Sequence, residues 1–111
     1  MAITHVKGPL PGPRSRELLD TWHSYEADVT GFQAPVVWET ARGCQVTDVD
    51  GNVFLDWTSG VLVASVGHCH PHLVQAVQQA ATQILNNYEC ANVQRIQAAK
   101  RLVEALPPHL D

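Results

Sequence analysis

At 111 residues, with 45% hydrophobic and 16% charged side chains, the chain has the length of one small domain, and its composition argues against disorder. It also leaves little charge to cover a free-standing surface, a first sign of a buried partner face. Eleven acids against seven scattered bases give a net charge of −4 and no basic stripe for tracking phosphates, which excludes the usual footprint of nucleic-acid binding.

The N-terminal MAITHVKGPLPGPRSRE lacks the apolar core of a signal peptide, and no stretch nears the roughly 20 apolar residues of a membrane span. Cys44, Cys69 and Cys90 form neither a CxxC pair nor an even-numbered framework. The expectation is a soluble, cytoplasmic protein with reduced thiols. Lys7 to Pro13 carries three prolines and two glycines and reads as an extended arm. Pro13 suits the first position of a helix, and Leu18, Leu19, Trp22 and Tyr25 recur at helical spacing, predicting an amphipathic helix over about residues 14–27.

From Pro35 the pattern turns to strands. PVVWET, CQVTDVDGNVFLDW and VLVASV are rich in β-branched and aromatic residues, and Asp50-Gly51 supplies the chemistry of a tight hairpin turn. A small antiparallel meander is predicted. Pro71 opens a second helix whose stripe runs Leu73, Val74, Val77, Ala80, Ala81, Ile84 and Leu85, broken by NNYECAN. A third begins near Ala91, carries Val93, Ile96, Ala99, Leu102, Val103 and Leu106, and stops at Pro107-Pro108.

His68, Cys69, His70 and His72 are all able to bind zinc or move protons. A tetrahedral site, however, usually draws ligand pairs from separate segments, whereas these come from one continuous run. The competing reading is a turn in which Gly67 takes an unusual backbone angle, imidazoles bond the start of the next helix and Pro71 sets its first turn. Ser59 sits in TSG rather than a hydrolase elbow, so a Ser59–His68 pair rests on composition alone. Cys69 reads either as a low-pKa thiol between imidazoles, or as a buried or inert one. DVDGN echoes a calcium loop but lacks its length and its closing glutamate, and reads as a turn. Trp57, close before Ser59-Gly60, is either a core anchor or a wall beside a ligand.

The continuous run VTDVDGNVFLDWTSGVLVASVGHCHPHLVQAVQQA, Val46 to Ala80, resembles the N-terminal segment of class-III pyridoxal-phosphate-dependent aminotransferases, the group containing 4-aminobutyrate, ornithine and acetylornithine aminotransferases. The resemblance lies in D-x-D-G-N-x-x-L-D, then SG, then G-H-x-H-P at these intervals, with PVVWETARG before and AVQQA within the following helix. It implies an α+β segment, with an N-terminal helix, a short antiparallel meander and two helices, forming the N-terminal part of a fold-type-I subunit. The division it implies is an extended arm (1–13), a helix-plus-meander lobe (14–70), and two helices (71–111) leading toward a large cofactor domain that is absent.

The resemblance further implies transfer of an amino group from an amine or amino acid to a keto acid. Pyridoxal 5′-phosphate would be bound mainly by the remainder of the subunit, within a homodimer or higher homo-oligomer. By matched position Ser59, Gly60, Val61 and Leu62 line the substrate channel, and Asn87 and Tyr88 approach the partner subunit's active site. Phe32 is either a further pocket element or an ordinary core aromatic. Relatives with an aromatic at Val61 or Leu62 use it to select the amine, so the aliphatic pair here leaves the substrate open. GHCHP becomes architecture, with no metal attached. The family's catalytic lysine, phosphate-binding turn and pyridinium-pairing aspartate lie beyond Asp111, and Lys7 and Lys100, the only lysines, read as solvated. No catalytic residue falls in this chain, which is expected to be inactive alone. The alternatives are a non-catalytic module docking on aminotransferase subunits and a small zinc-binding protein.

Overall fold

The computed structural model describes residues 4–27 and 34–107. They form α1 (Pro13–Tyr25), β1 (Trp38–Arg42), β2 (Gln45–Asp48), β3 (Val53–Leu55), a four-residue turn α2 (Ser59–Leu62), α3 (Pro71–Ala81) and α4 (Val93–Ala105). The chain divides into two units, Met1–Val74 and Gln75–Asp111.

In the first unit Pro13 opens α1, where its missing N–H leaves no bond unmade. Gly12 at the N-cap has no side chain to cover the free amides of that end. A distant residue does so. The Asp50 carboxylate accepts the Arg14 and Ser15 N–H groups at 2.8 and 2.9 Å and the Ser15 hydroxyl at 2.6 Å, and the Arg14 guanidinium donates to the Val49 carbonyl at 3.0 Å. A Cβ at Gly12 would collide with that carboxylate, so the absence of a side chain lets the hairpin tip reach the helix. The Ser15 hydroxyl above all, with both amides and the Arg14 charge, holds the Asp50 carboxyl below its ordinary range although burial works the other way.

The three strands make an antiparallel meander in the order β1-β2-β3. Val46 pairs with Ala41 on one side and Phe54 on the other, and an irregularity between Trp38 and Thr40 shifts the β1 register. Along β2 burial alternates: Val46 and Asp48 are buried, while Gln45 and Thr47 are partly exposed, as the two-residue period of a strand requires. Buried Asp48 is fully engaged in its own turn. Its Oδ1 accepts the Asp50 and Asn52 N–H groups at 3.0 and 2.7 Å, and its Oδ2 accepts Asn52 Nδ2 at 2.7 Å. Asn52 Oδ1 in turn accepts the Lys7 N–H at 2.8 Å. The arm therefore has one structural role that its composition hides: His5 pairs with Val53 through bonds of 2.9 and 2.7 Å and caps the free edge of β3.

Three expectations need correction. Strand-like VLVASV forms no strand; Val61 and Leu62 lie in α2 and Val63–Val66 in the irregular chain beyond it. The stripe read through Leu85 overshoots α3, which ends at Ala81 because the Thr82 hydroxyl takes the Gln79 carbonyl at 2.8 Å and the chain tightens onto Ala80. The first helix is shorter than read, closing when the Glu26 N–H bonds the Trp22 carbonyl.

In the second unit, Asn92 caps α4 by accepting the Arg95 N–H at 2.7 Å, and Lys100 pairs with Glu104 at 3.7 Å one turn on. Neither α3 nor α4 has a buried residue, and Leu73, Val77, Ile96, Leu102 and Val103 are exposed. Among the described residues the buried hydrophobic side chains are Leu19 and Val46 alone. No helix among them is long and apolar enough to cross a membrane.

Candidate functional site

The four residues matched to a substrate channel, Ser59, Gly60, Val61 and Leu62, form one turn with left-handed backbone: φ is 53, 58, 61 and 67° in sequence. L-residues avoid this region because Cβ crowds the following carbonyl, and a β-branched residue such as Val61 avoids it most. The turn closes on itself through the Leu62 N–H to the Thr58 carbonyl (2.9 Å) and the Val63 and Ala64 N–H groups to the Ser59 carbonyl (3.0 and 2.8 Å).

Asp56, one residue past β3, organises the approach. Its N–H bonds the Cys44 carbonyl at 2.8 Å. Its Oδ1 accepts the Thr58 N–H and hydroxyl at 2.8 and 2.7 Å, and its Oδ2 accepts the Gly60 N–H at 3.0 Å. His68 Nε2 lies 2.6 Å from the same Oδ2. The Thr58 hydroxyl first and His68 second hold the Asp56 carboxyl far below its ordinary range, against the effect of burial. An ionised carboxylate only accepts, so the proton in the short bond sits on His68 Nε2.

His68 is itself fixed. Its N–H and carbonyl both pair with Gly43, at 2.7 and 2.9 Å, and the Trp38 ring stands edge-on to the imidazole with centroids 6.1 Å apart. Gly67 takes φ +89°, and a Cβ there would lie 3.1 Å from Gly43 Cα, so the unusual backbone angle expected of this glycine also permits a close crossing. The expected bond from these imidazoles to the start of α3 is replaced by the bond from His68 back to Asp56. Two clefts share Asp56 as a wall. One of about 380 Å³ is polar and lined by Gly43, Cys44, Ser59, Ser65 and His68. The other, about 320 Å³, is apolar and lined by Leu10, Val36, Trp38, Val46, Phe54 and Trp57.

Val61 and Leu62 are 67% and 82% exposed, and Trp57 is exposed as well, so it is no core anchor. Ser59 borders the polar cleft with His68, but Nε2 of that imidazole already faces Asp56 and does not serve a serine hydroxyl. His70 and His72 meet edge to face, with ring centroids 5.6 Å apart. Among the described residues no group of three or more His, Cys, Asp or Glu is placed to hold a metal ion. All three cysteines are free and exposed, Cys69 included, which corrects the buried-thiol reading. Asn87 and Tyr88 lie in the second unit between α3 and α4. Asn87 donates from Nδ2 to the Cys90 carbonyl, and Tyr88, with φ +50° and an exposed ring, donates its N–H to Asn86 Oδ1 at 2.8 Å. Phe32 lies outside the described residues. Asp56 and Thr58 were not singled out in the sequence; an aspartate two residues before a threonine is an Asx-turn pattern that could have marked them.

A lysine that binds an aldehyde cofactor covalently needs a buried, desolvated amine. Lys7 is exposed and Lys100 is 73% exposed beside Glu104, so neither fits that part of a pyridoxal phosphate site.

The chain matches the family model described as aminotransferase class-III over residues 24–110. It is similar to an acetylornithine aminotransferase from Methanocaldococcus jannaschii, 38% identical over 87 residues that cover 78% of this chain and 22% of the relative. An alanine/serine racemase from Pyrococcus horikoshii is 35% identical over 100 residues, covering 87% of this chain and 21% of the relative. Among solved structures, an acetylornithine aminotransferase from Elizabethkingia anophelis superposes with a TM-score of 0.74 at 24% identity, over 83% of this chain and 23% of that one. The chain thus spans roughly a fifth of the length of the curated relatives it matches.

Proposed function

Because the chain belongs to the class-III aminotransferase family, which depends on pyridoxal phosphate, we propose that it serves as the N-terminal part of a subunit that moves an amino group from an amine or amino acid to a keto acid. The observation that carries this reading is the bareness of α3 and α4, two amphipathic helices that bury no residue. Covering a side chain such as Leu73, Val77, Ile96 or Leu102 contributes roughly 1.5–3 kcal/mol relative to leaving it in water. The remainder of the subunit is the surface that would supply the cover.

In this reading Ser59, Gly60, Val61 and Leu62 wall the substrate channel, and Asn87 and Tyr88 reach toward a second subunit across a homodimer interface. When bound by the rest of the subunit, the cofactor supplies the electron sink that lets a proton leave the amino-bearing carbon. This chain's part is to shape the channel: Val61, Leu62 and Trp57 offer apolar surface that excludes water, and the Thr58–Gly60 backbone is held still by Asp56. The cytoplasm is its proposed place of work.

The test adds pyridoxal phosphate, an amino donor and a keto acid to the purified chain and follows the keto product. None is expected from the chain alone. Co-expression with a class-III subunit trimmed of its own N-terminal segment should restore transfer. Turnover by the isolated chain, or no restoration in the complemented enzyme, overturns the proposal; co-elution with intact subunits without any gain in activity points instead to a docking module.

A further inference from the structure

We infer that Asp56 and His68 form a positioning lock that holds Ser59–Leu62 in its left-handed turn, and so fixes which way Val61 and Leu62 face in the channel. The channel belongs to the reading proposed above, on which that last step rests, whereas the lock is a property of this chain alone.

Four consecutive residues at positive φ, three of them with a Cβ, persist only where the surroundings over-determine them. Apolar packing does not do so here, because Val61 and Leu62 are mostly in solvent. The polar contacts do. One carboxylate takes donors from before the turn (Thr58), inside it (Gly60) and beyond it (His68), and so grips the loop at three places. The Asp56 side chain is 2% exposed and that of His68 17%, so solvent screens their bond little, and it is charge-assisted and short. The far end of the grip is anchored in the sheet. His68 pairs by both backbone groups with Gly43 in the β1–β2 turn, and Asp56 bonds Cys44 in the same turn. Both ends of the segment from Asp56 to His68 are therefore tied to one rigid corner, and the left-handed turn is what the chain between them adopts. Asp56 and His68 touch no reacting atom in this scheme; they act through the turn.

Hydrogen exchange on the full chain, read by mass spectrometry or NMR, tests the lock without requiring any activity. The reporters are the amides of Leu62, Val63 and Ala64, which close the turn; the controls are those of Ser15, Asn52 and Val53, which are bonded elsewhere in the unit. Asp56→Asn and His68→Gln should each speed exchange at the reporters about tenfold or more while the controls hold, as loss of a charge-assisted bond implies. Adding Val61→Gly to Asp56→Asn should recover most of the protection, because glycine takes a left-handed φ unaided. An ordinary tie would instead give additive effects. Unchanged reporters in both single variants, or additivity in the double variant, overturn the lock. Should Asp56→Asn unfold the whole unit, the double variant still decides: recovery supports the lock and continued unfolding overturns it. None of these readouts involves amino transfer, so failure of the lock and failure of the aminotransferase reading are told apart.

Discussion

Replacing Val61 by glycine should stabilise the protein relative to replacing it by alanine, the reverse of the order found in ordinary helices. Both variants remove the γ-methyls of a side chain that is two-thirds in solvent, so their difference isolates one Cβ on a backbone at φ 61° and ψ 56°. A Cβ there costs roughly 1–2 kcal/mol. Glycine avoids this cost but loses about 0.5–1 kcal/mol more backbone freedom on folding. The balance favours Val61→Gly over Val61→Ala by about 0.5–1 kcal/mol. Glu17, exposed in right-handed α1, is the internal control, where alanine should lead glycine by about 1 kcal/mol. Urea unfolding followed by tryptophan fluorescence reads all four variants, since Trp22, Trp38 and Trp57 all lie in the first unit. Alanine equal to or better than glycine at position 61 would show that the turn is not left-handed in solution.

The acid range offers a second check. The Asp50 and Asp56 carboxyls are held below the ordinary carboxylate range when folded, so the stability they contribute is complete well above the unfolded value of 3.8 and is lost progressively as pH falls toward and through their folded values. Urea midpoints should decline from about pH 5 downward, and Asp50→Asn combined with Asp56→Asn should flatten the decline. Val46→Ala, at the 1% exposed centre of the sheet, should cost about 2 kcal/mol from two lost carbons and the cavity they leave. Gly12→Ala should push Asp50 off the start of α1 and speed exchange of the Arg14 and Ser15 amides. The bare faces of α3 and α4 should make the isolated chain self-associate; sedimentation should show this, and Val77→Lys with Ile96→Lys should reduce it.

Where one local signal decided the outcome, the sequence was readable. Pro13 and Pro71 open their helices where expected, the Asp50-Gly51 hairpin joins β2 to β3, and Pro107 lies just past α4. The motif D-x-D-G-N-x-x-L-D led to the family, yet periodicity could not reveal what its acids do, because their partners lie far away in sequence. Asp50 caps a helix 35 residues upstream, and Asp56 meets an imidazole 12 residues on. VLVASV misled for the same reason. Its β-branched composition favours a strand, but the Asp56 carboxylate holds the Thr58 and Gly60 amides in a turn, which leaves no extended chain there to pair. The histidine run looked reactive because the sequence does not show that His68 is committed to Asp56.

A division follows between what this chain completes and what it leaves open. Among the described residues no buried side-chain nitrogen or oxygen lacks a hydrogen-bond partner, so the polar framework around Asp48, Asp50 and Asp56 is closed within the chain. The apolar surface is not closed, with two hydrophobic side chains buried among the described residues and two helices bare. The two kinds of interaction differ in reach. A hydrogen bond needs one partner at about 3 Å and can be satisfied by a turn a few residues away, whereas burial needs area, and area removed from water per residue grows with the size of the folded body. A chain of this length can therefore fix its own turns, left-handed strain included, while the hydrophobic faces of α3 and α4 stay in water. The Ser59–Leu62 turn accordingly has its hydrogen-bond partners within the chain, independent of the bare faces of α3 and α4.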